Sequence, residues 1–382
     1  MLWETEDAPY WFADVEKGLL SPVETFSEKV DAIIVGGGIM GISVAYWLSR
    51  AGIETLVLEA ESLGNGASGR NAGLFLPALS PLENPEITRQ VLTEENIHAD
   101  FKITGHLALA SNEEIWEKIC DEALRRKNSL IPVASITRQE CEDLLKLKIN
   151  KAFRGGRWYP GGGLIHPLKF IYGLAFAAVK HGAGIRTGTK VLGGAVAGGN
   201  SSQTIETNRG KVRAKYVVWC CQARITNFVP GFNNFIKPVV GNMFSSAPVE
   251  KFFKFGLAID WGTVYWRQTD DGSIICGGDE NLQLAGQKTG KGLEFVLNEV
   301  FPTLPPIKVS RRWSGMMDYM IDGKPIVGSL PNQPNQWIIA GFGGHGIPAA
   351  LGVGKALTES ISREMLDENL LNFSPSRFAE TV

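Results

Sequence analysis

The sequence predicts an α/β chain: a Rossmann-like, dinucleotide-binding domain joined to an α+β part with an antiparallel sheet. Three observations predict it. Residues Asp31–Ala60 read DAIIVGGGIMGISVAYWLSRAGIETLVLEA, with Gly36, Gly38 and Gly41 spaced G-x-G-x-x-G between two apolar runs. An apolar run, a glycine cluster and a helix-like stretch recur over Trp337–Met365. Between these ends, short apolar runs separated by turn signals occupy 235–277.

In the opening stretch, Ala32–Val35 runs apolar without a break, as in a strand buried on both faces. Uncharged residues continue to Ser49, Gly52 stands where a helix ends, and Thr55–Leu58 is a second strand. Glu59 follows, 18 residues beyond Gly41. Gly36 permits the sharp turn, Gly38 lets backbone approach a pyrophosphate, and Gly41 lets the helix lie close on the strand. The helix N-terminus offers free N–H groups and a positive dipole to phosphates, and Glu59 can accept from a ribose diol. This stretch alone does not separate NAD from FAD.

Next comes SLGNGASGRNAGLFL at Ser62–Leu76, a loop rich in backbone N–H groups, in which Arg70 can pair with a phosphate; an ordinary linker is the other reading. Asn84–Leu147 reads mainly helical, with helices at Pro85–Phe101 and Glu113–Lys127 and a strand at Thr104–Ala110. Thr137 with Glu140 three residues on is a capping box. Phe153–His166 reads as a glycine- and aromatic-rich loop and Leu168–His181 as an amphipathic helix. A meander follows: Lys190–Val196, a turn at Gly198–Ser202, Thr204–Thr207, and Lys211–Cys221. Strands are expected at Phe235–Phe244, Gly256–Asp260, Thr263–Gln268 and Ser273–Gly277, the last two joined by an Asp271–Gly272 turn. Gly292–Val300 reads as a helix, Arg311–Gly315 as a strand, and Asp322–Gly328 as a loop and short strand. Finally Trp337–Ala340 is a strand, Gly341–Gly346 a turn and Ile347–Met365 a helix with Pro348 in its first turn. This second helix start suits a flavin, which gains negative charge near N1 and the C2 carbonyl on reduction; a nicotinamide has no equivalent demand.

Composition sets the class. The chain has 382 residues, 44% hydrophobic and 20% charged, as in a soluble globular protein of two domains or one composite fold. A net charge of −2 points to neither nucleic acid nor an anionic membrane surface. Five scattered cysteines without metal-type spacing predict reduced thiols, no metal site and a cytoplasmic chain. Ala32–Ser49 and Trp337–Gly354 lack Asp, Glu, Lys and Arg, yet fall short of the ~20 residues of a membrane span and are broken by glycines. The N-terminus, with Trp3, Tyr10, Trp11 and Phe12 among acids, reads as an arm on the body or as a partly disordered leader, and not as a signal peptide.

Several motifs together resemble the FAD-dependent D-amino-acid oxidase superfamily, which covers glycine oxidase, sarcosine oxidase and their relatives. They are Gly36–Gly41 with Glu59, GASGRNAG at Gly66–Gly73, VVWCCQA at Val217–Ala223, YWRQTDDGSIICGG at Tyr265–Gly278, WSGMMDYMIDGKPIVG at Trp313–Gly328 and GFGGHG at Gly341–Gly346. The leader and GASGRNAG are most similar to the gamma-glutamylputrescine oxidoreductase branch. The resemblance implies a discontinuous FAD domain of the glutathione-reductase-2 type over 30–80, 151–234 and 311–370. It implies a substrate domain over 81–150 and 235–310, with an arm at 1–29. It also implies oxidation of a C–N bond to an imine that water hydrolyses, with oxygen as the usual acceptor. By position, Gly36, Gly38, Ile39, Met40, Gly41, Glu59 and Ala60 would hold the ADP half. Ser68, Gly69, Arg70, Asn71, Ala72, Gly73 and Leu74 would wrap pyrophosphate and flavin, Val191 would meet the adenine, and Cys221 would sit in a backbone loop near the cofactor. Gly343, Gly344, His345, Gly346 and Ile347 would face the pyrimidine edge of the ring.

Two departures from the pattern bear on chemistry. Where amino-acid oxidases of this type carry an Arg for the substrate carboxylate, this chain has Met317, which cannot pair with one. Either Arg267 or Arg157 takes that role, or the substrate is an amine without an α-carboxylate, the reading we favour. Where sarcosine oxidases attach flavin through a Cys, the matching position is near Gly315, so FAD is expected to bind non-covalently. The neutral amine would place its α C–H over flavin N5, with hydride leaving as the imine forms. His345 would accept a proton or steady the reduced flavin, unless packing alone holds it there. Tyr265 and Trp266 are candidate pocket walls or substrate-domain core. The expected partners are a small amine or amino acid and oxygen, with an oligomer left open. Other readings are a flavin subunit of an electron-transfer complex and a biosynthetic tailoring oxidase; an NAD-dependent dehydrogenase fits the C-terminal glycine loop poorly.

Overall fold

Two eight-stranded sheets organise the chain in a computed structural model. It describes residues 7–15, 28–77, 82–129, 132–197, 202–229, 231–278, 283–284, 287–288 and 292–378. In the first sheet Lys29–Val35 pairs in parallel with Thr55–Leu58 on one side and Gly210–Trp219 on the other. Neighbours on both edges and helices on one face explain why Ala32–Val35 carries no polar residue. Gly184–Arg186 extends the sheet beyond Thr55–Leu58, and Gln333–Ala340 pairs in parallel with the far end of Gly210–Trp219. Helices Ile39–Arg50, Pro167–Lys180 and Gly346–Arg363 cover one face. Gln222–Asn227 and Pro375–Phe378 pack on the other.

The second sheet runs Val309–Met320, Ile236–Ser246, Ile274–Gly278, Val264–Gln268, Gly256–Ile259, His106–Leu109, Gly155–Tyr159 and Ala134–Thr137. Only the Gly256–Ile259 and His106–Leu109 pairing is parallel. The turn at Asp271–Gly272 closes with Gly272 at φ 92° and its N–H donating to Thr269 O at 3.1 Å. Behind the sheet, Arg138–Leu145 and Leu293–Val300 seal a core around Trp266, Phe253 and Phe301. The Thr137–Glu140 capping box is present in both directions.

The structure departs from the sequence expectation at identifiable places. The helix from Pro85 ends at Glu94, because Asn96 turns to φ 52° and Ile97 N–H donates back to Leu92 O. Gly155–Tyr159 is a strand, and Val309–Met320 is far longer than Arg311–Gly315. Both hydrogen-bond into the second sheet. Lys190–Val196 reduces to a single bridge at Val191 and the short strand Val196–Ala197. Most of the expected turn at Gly198–Ser202 and most of the arm, 1–6 and 16–27, lie outside the described residues. Among the described residues no helix is long and apolar enough to cross a membrane.

Two positions test this packing. The Ile39–Arg50 and Gly346–Arg363 helices touch where a Cβ on Gly354 would stand 2.4 Å from Ser43 Oγ, itself donating to Ala350 O at 2.7 Å. Gly354→Val is expected to cost about 1–3 kcal/mol by overpacking, read from urea melts. His106 lies within the second sheet, its Nε2 without a hydrogen-bond partner. Desolvation, with the Arg157 charge adding to it, lowers His106 from 6.5 to about 3. The native imidazole is therefore neutral while the unfolded one charges. Its stabilisation is complete above pH 6.5 and is lost as pH falls toward 3, at roughly 1.4 kcal/mol per pH unit. His106→Leu is expected to flatten that part of the stability curve.

Candidate cofactor and substrate site

The carboxyl ends of three parallel strands meet at Gly36, Cys220 and Gly341, and two helices start beside them. At the first start, Gly36 takes φ 113°, and a Cβ on it would stand 2.5 Å from Cys220 O. A Cβ on Gly41 would stand 2.0 Å from Gly36 O, so helix and strand meet backbone to backbone. Ile39 N–H donates to Ser68 Oγ at 3.1 Å. Glu59 Oε2 accepts from Gly37 N–H at 2.6 Å and Oε1 from Glu61 N–H at 2.8 Å, which fixes the carboxylate beside the turn. Ala60 is exposed next to it, Met40 is half-buried on the first helical turn, and Val191 is buried at its bridge with Thr207.

The second start is open. The Gly346–Arg363 helix has no side-chain cap and no acid in its first turn, and Cβ atoms on Gly344 or Gly346 would meet nothing within 4 Å. Gly343, at φ 53°, packs under the Tyr319 ring, and Ile347 is buried in the first turn. His345 is solvent-exposed, yet desolvation lowers its imidazole below the ordinary range. Cys221 likewise reaches solvent while burial pushes its thiol up to about 12.

The loop after Glu59 closes the third side. Ala67–Gly69 is one 3-10 turn. The Arg70 guanidinium donates to Asn65 O at 2.8 Å and Ser314 O at 2.9 Å, joining the loop to the second sheet. Asn71 Nδ2 donates to Ala67 O and Ser68 O, and its Oδ1 accepts from Gly73 N–H. Ala72 is buried, its N–H donating to no described residue, and Leu74 opens a two-residue strand.

The second sheet turns one face to this loop. Gly315 lies opposite Gly241, and a Cβ on it would stand 3.2 Å from Arg70 Cβ. Met317 lies opposite Val239, with its methyl 3.2 Å from where a Gly241 Cβ would be. Tyr265 donates to Met243 Sδ at 3.3 Å, and burial raises its phenol. Alternation along the strand separates the expected pair of walls: Trp266 is fully buried on the opposite side with Phe253 and Phe301, so it is core. Arg157 forms a two-pronged pair with Glu122 at 2.8 and 3.1 Å. Arg267 shares the side of Tyr265, but Nη1 donates to Gly73 O at 3.2 Å and Ile165 O at 3.0 Å.

Asp318 escaped the sequence reading. Its Oδ2 accepts from Gly341 N–H at 2.9 Å and its backbone O from Gly343 N–H at 2.8 Å, so it holds the second glycine turn. Burial raises its carboxyl, with the Gly341 N–H acting the other way. The signal was available: a lone acid among WSGMMDYM has to find a donor when that strand is buried.

Two helix N-termini at the ends of parallel strands, an Ala72 N–H that donates to no described residue, and open space beside Gly344 and Gly346 fit the class of dinucleotide-binding proteins. A family model described as FAD dependent oxidoreductase, DAO, matches residues 31–360. The chain belongs to that family and is an FAD-dependent oxidoreductase. It is 25% identical over 399 residues to a probable oxidoreductase OrdL of Rhizobium meliloti (strain 1021), covering 94% of this chain and 90% of that protein. It is 25% identical to a gamma-glutamylputrescine oxidoreductase of Escherichia coli (strain K12), covering 92% and 88%. The fold matches an L-proline dehydrogenase structure from P. horikoshii at a TM-score of 0.80 and 23% identity, covering 93% and 99%.

Asp318→Ala strands the buried Gly341 N–H and is expected to cost about 1–3 kcal/mol and weaken FAD retention. Asp318→Asn keeps an acceptor and is expected to fall between the two. Melts of apo and FAD-loaded protein check both.

Proposed function

We propose that the protein oxidises the C–N bond of an amine that carries no α-carboxylate, with oxygen as acceptor and FAD held non-covalently. Met317 carries this reading: it stands on the loop-facing side of the sheet, with Gly241, Gly315 and Tyr265, where a carboxylate would need a cation. Met243 and Met317 make that face soft and apolar, suited to an alkyl chain. The relative of Escherichia coli is named for gamma-glutamylputrescine, which supports an amine as the group oxidised.

Bound FAD supplies a two-electron acceptor. The protein's share is positioning and proton handling. Tyr265 and Met317 would set the amine toward the open glycine turn at Gly344 and Gly346. His345, at the start of the second helix, would steady charge on the reduced flavin or pass the ammonium's proton on to solvent. Glycine at position 315 offers no thiol for a covalent link, and the Cys221 thiol stays protonated. Overall the amine loses two electrons and two protons, oxygen gains them as hydrogen peroxide, and water releases the imine as carbonyl and amine or ammonia.

A second reading, oxidation of an amino acid, rests on Arg267, which is 7% exposed and has no partner at Nε. Anaerobic bleaching of the flavin absorbance with matched amines and amino acids separates the two. Bleaching by amines alone is the expected result; bleaching by amino acids, lost in Arg267→Leu, would overturn it. Met317→Arg is expected to improve the KM for an amino acid relative to its amine by at least about tenfold, the worth of a charged hydrogen bond.

A further inference from the structure

Residues 7–15 cross the cofactor loop from outside. The Trp11 ring is 2% exposed, lies edge-on to His166 at 4.6 Å, and has the Arg267 guanidinium 5.6 Å from its centre. Phe12 Cε2 stands 3.1 Å from where a Gly69 Cβ would be. The first part of the segment is tied to the second sheet and the turn that follows Val264–Gln268. Asp7 N–H donates to Arg312 O at 2.8 Å, Asp7 Oδ2 accepts from Arg312 N–H at 2.9 Å, and Tyr10 donates to Thr269 Oγ1 at 3.4 Å.

The contact that matters is Trp11 Nε1–H donating to Asn71 O at 2.6 Å. In a trans peptide the C=O and the next N–H point to opposite sides. Asn71 O turned outward to Trp11 therefore turns Ala72 N–H inward. That N–H donates to no described residue, and Ala72 is 1% exposed, so the donor is buried and waiting for an acceptor. We propose that residues 7–15 form a latch over the loop, with Trp11 a positioning residue that aims Ala72 N–H at bound FAD, so that the cofactor leaves slowly while the ring is seated. The proposal rests on assigning the 62–74 loop to the cofactor.

The rate of FAD release from the holoenzyme, followed by ultrafiltration and absorbance well below the melting temperature, tests it. Trp11→Phe keeps a ring but loses the donor and is expected to speed release about fivefold, the effect of one lost hydrogen bond. Trp11→Ala loses both and is expected to exceed tenfold. Phe301→Leu, in the core behind the second sheet, lowers the melting temperature and is expected to leave release unchanged. Faster release in Asn71→Ala with unchanged release in both Trp11 variants would overturn the latch and leave the loop assignment standing. Unchanged release in all three would overturn the loop assignment and the latch with it. Equal acceleration in Phe301→Leu and the Trp11 variants would reduce the effect to general destabilisation and also overturn the latch.

Discussion

The structure depends on backbone lying against backbone where the first helix meets the first strand. A methyl group at position 41 would stand 2.0 Å from Gly36 O, and one at position 36 would stand 2.5 Å from Cys220 O. Without side chains there, the helix start drops onto the strand ends and its N–H groups point along the sheet edge. The same economy of volume brings the second helix alongside, through Ser43 and Gly354. Two helix N-termini thus stand side by side at the carboxyl ends of the parallel strands.

The electrostatics around these helix starts follow from burial. Desolvation moves Cys221, Tyr265 and Asp318 up and His345 down, so each shifts toward its neutral form. Positive potential comes from oriented backbone groups instead of side-chain cations. Arg70 and Arg267, the cations nearest the loop, are engaged with carbonyl oxygens. Three carbonyls of the loop are held by side chains: Arg70 O by Trp313 Nε1, Asn71 O by Trp11 Nε1 and Gly73 O by Arg267. Each donor comes from a different part of the chain. These bonds fix the backbone of the loop from three sides.

The sequence by itself determined the strand–glycine–helix units at both ends, the capping box at Thr137 and the antiparallel strands from 236 to 278. All of these are local patterns of period and turn chemistry. It also exposed Met317 as a departure, because a motif position can be read without knowing what faces it. Tertiary structure decided what depends on pairing. Gly155–Tyr159 looks like a loop until His106–Leu109 and Ala134–Thr137 flank it. Tyr265 and Trp266 are equal in sequence, and only the side on which helix Leu293–Val300 packs sends Trp266 to the core. Arg157, Arg267 and Asp318 are ionisable groups whose roles are set by Glu122, Gly73 and Gly341, partners that chain folding brings near from 35, 194 and 23 residues away. Hydrogen bonds and desolvation act over a few ångströms of space, so long-range pairing assigns them, and sequence spacing does not record it.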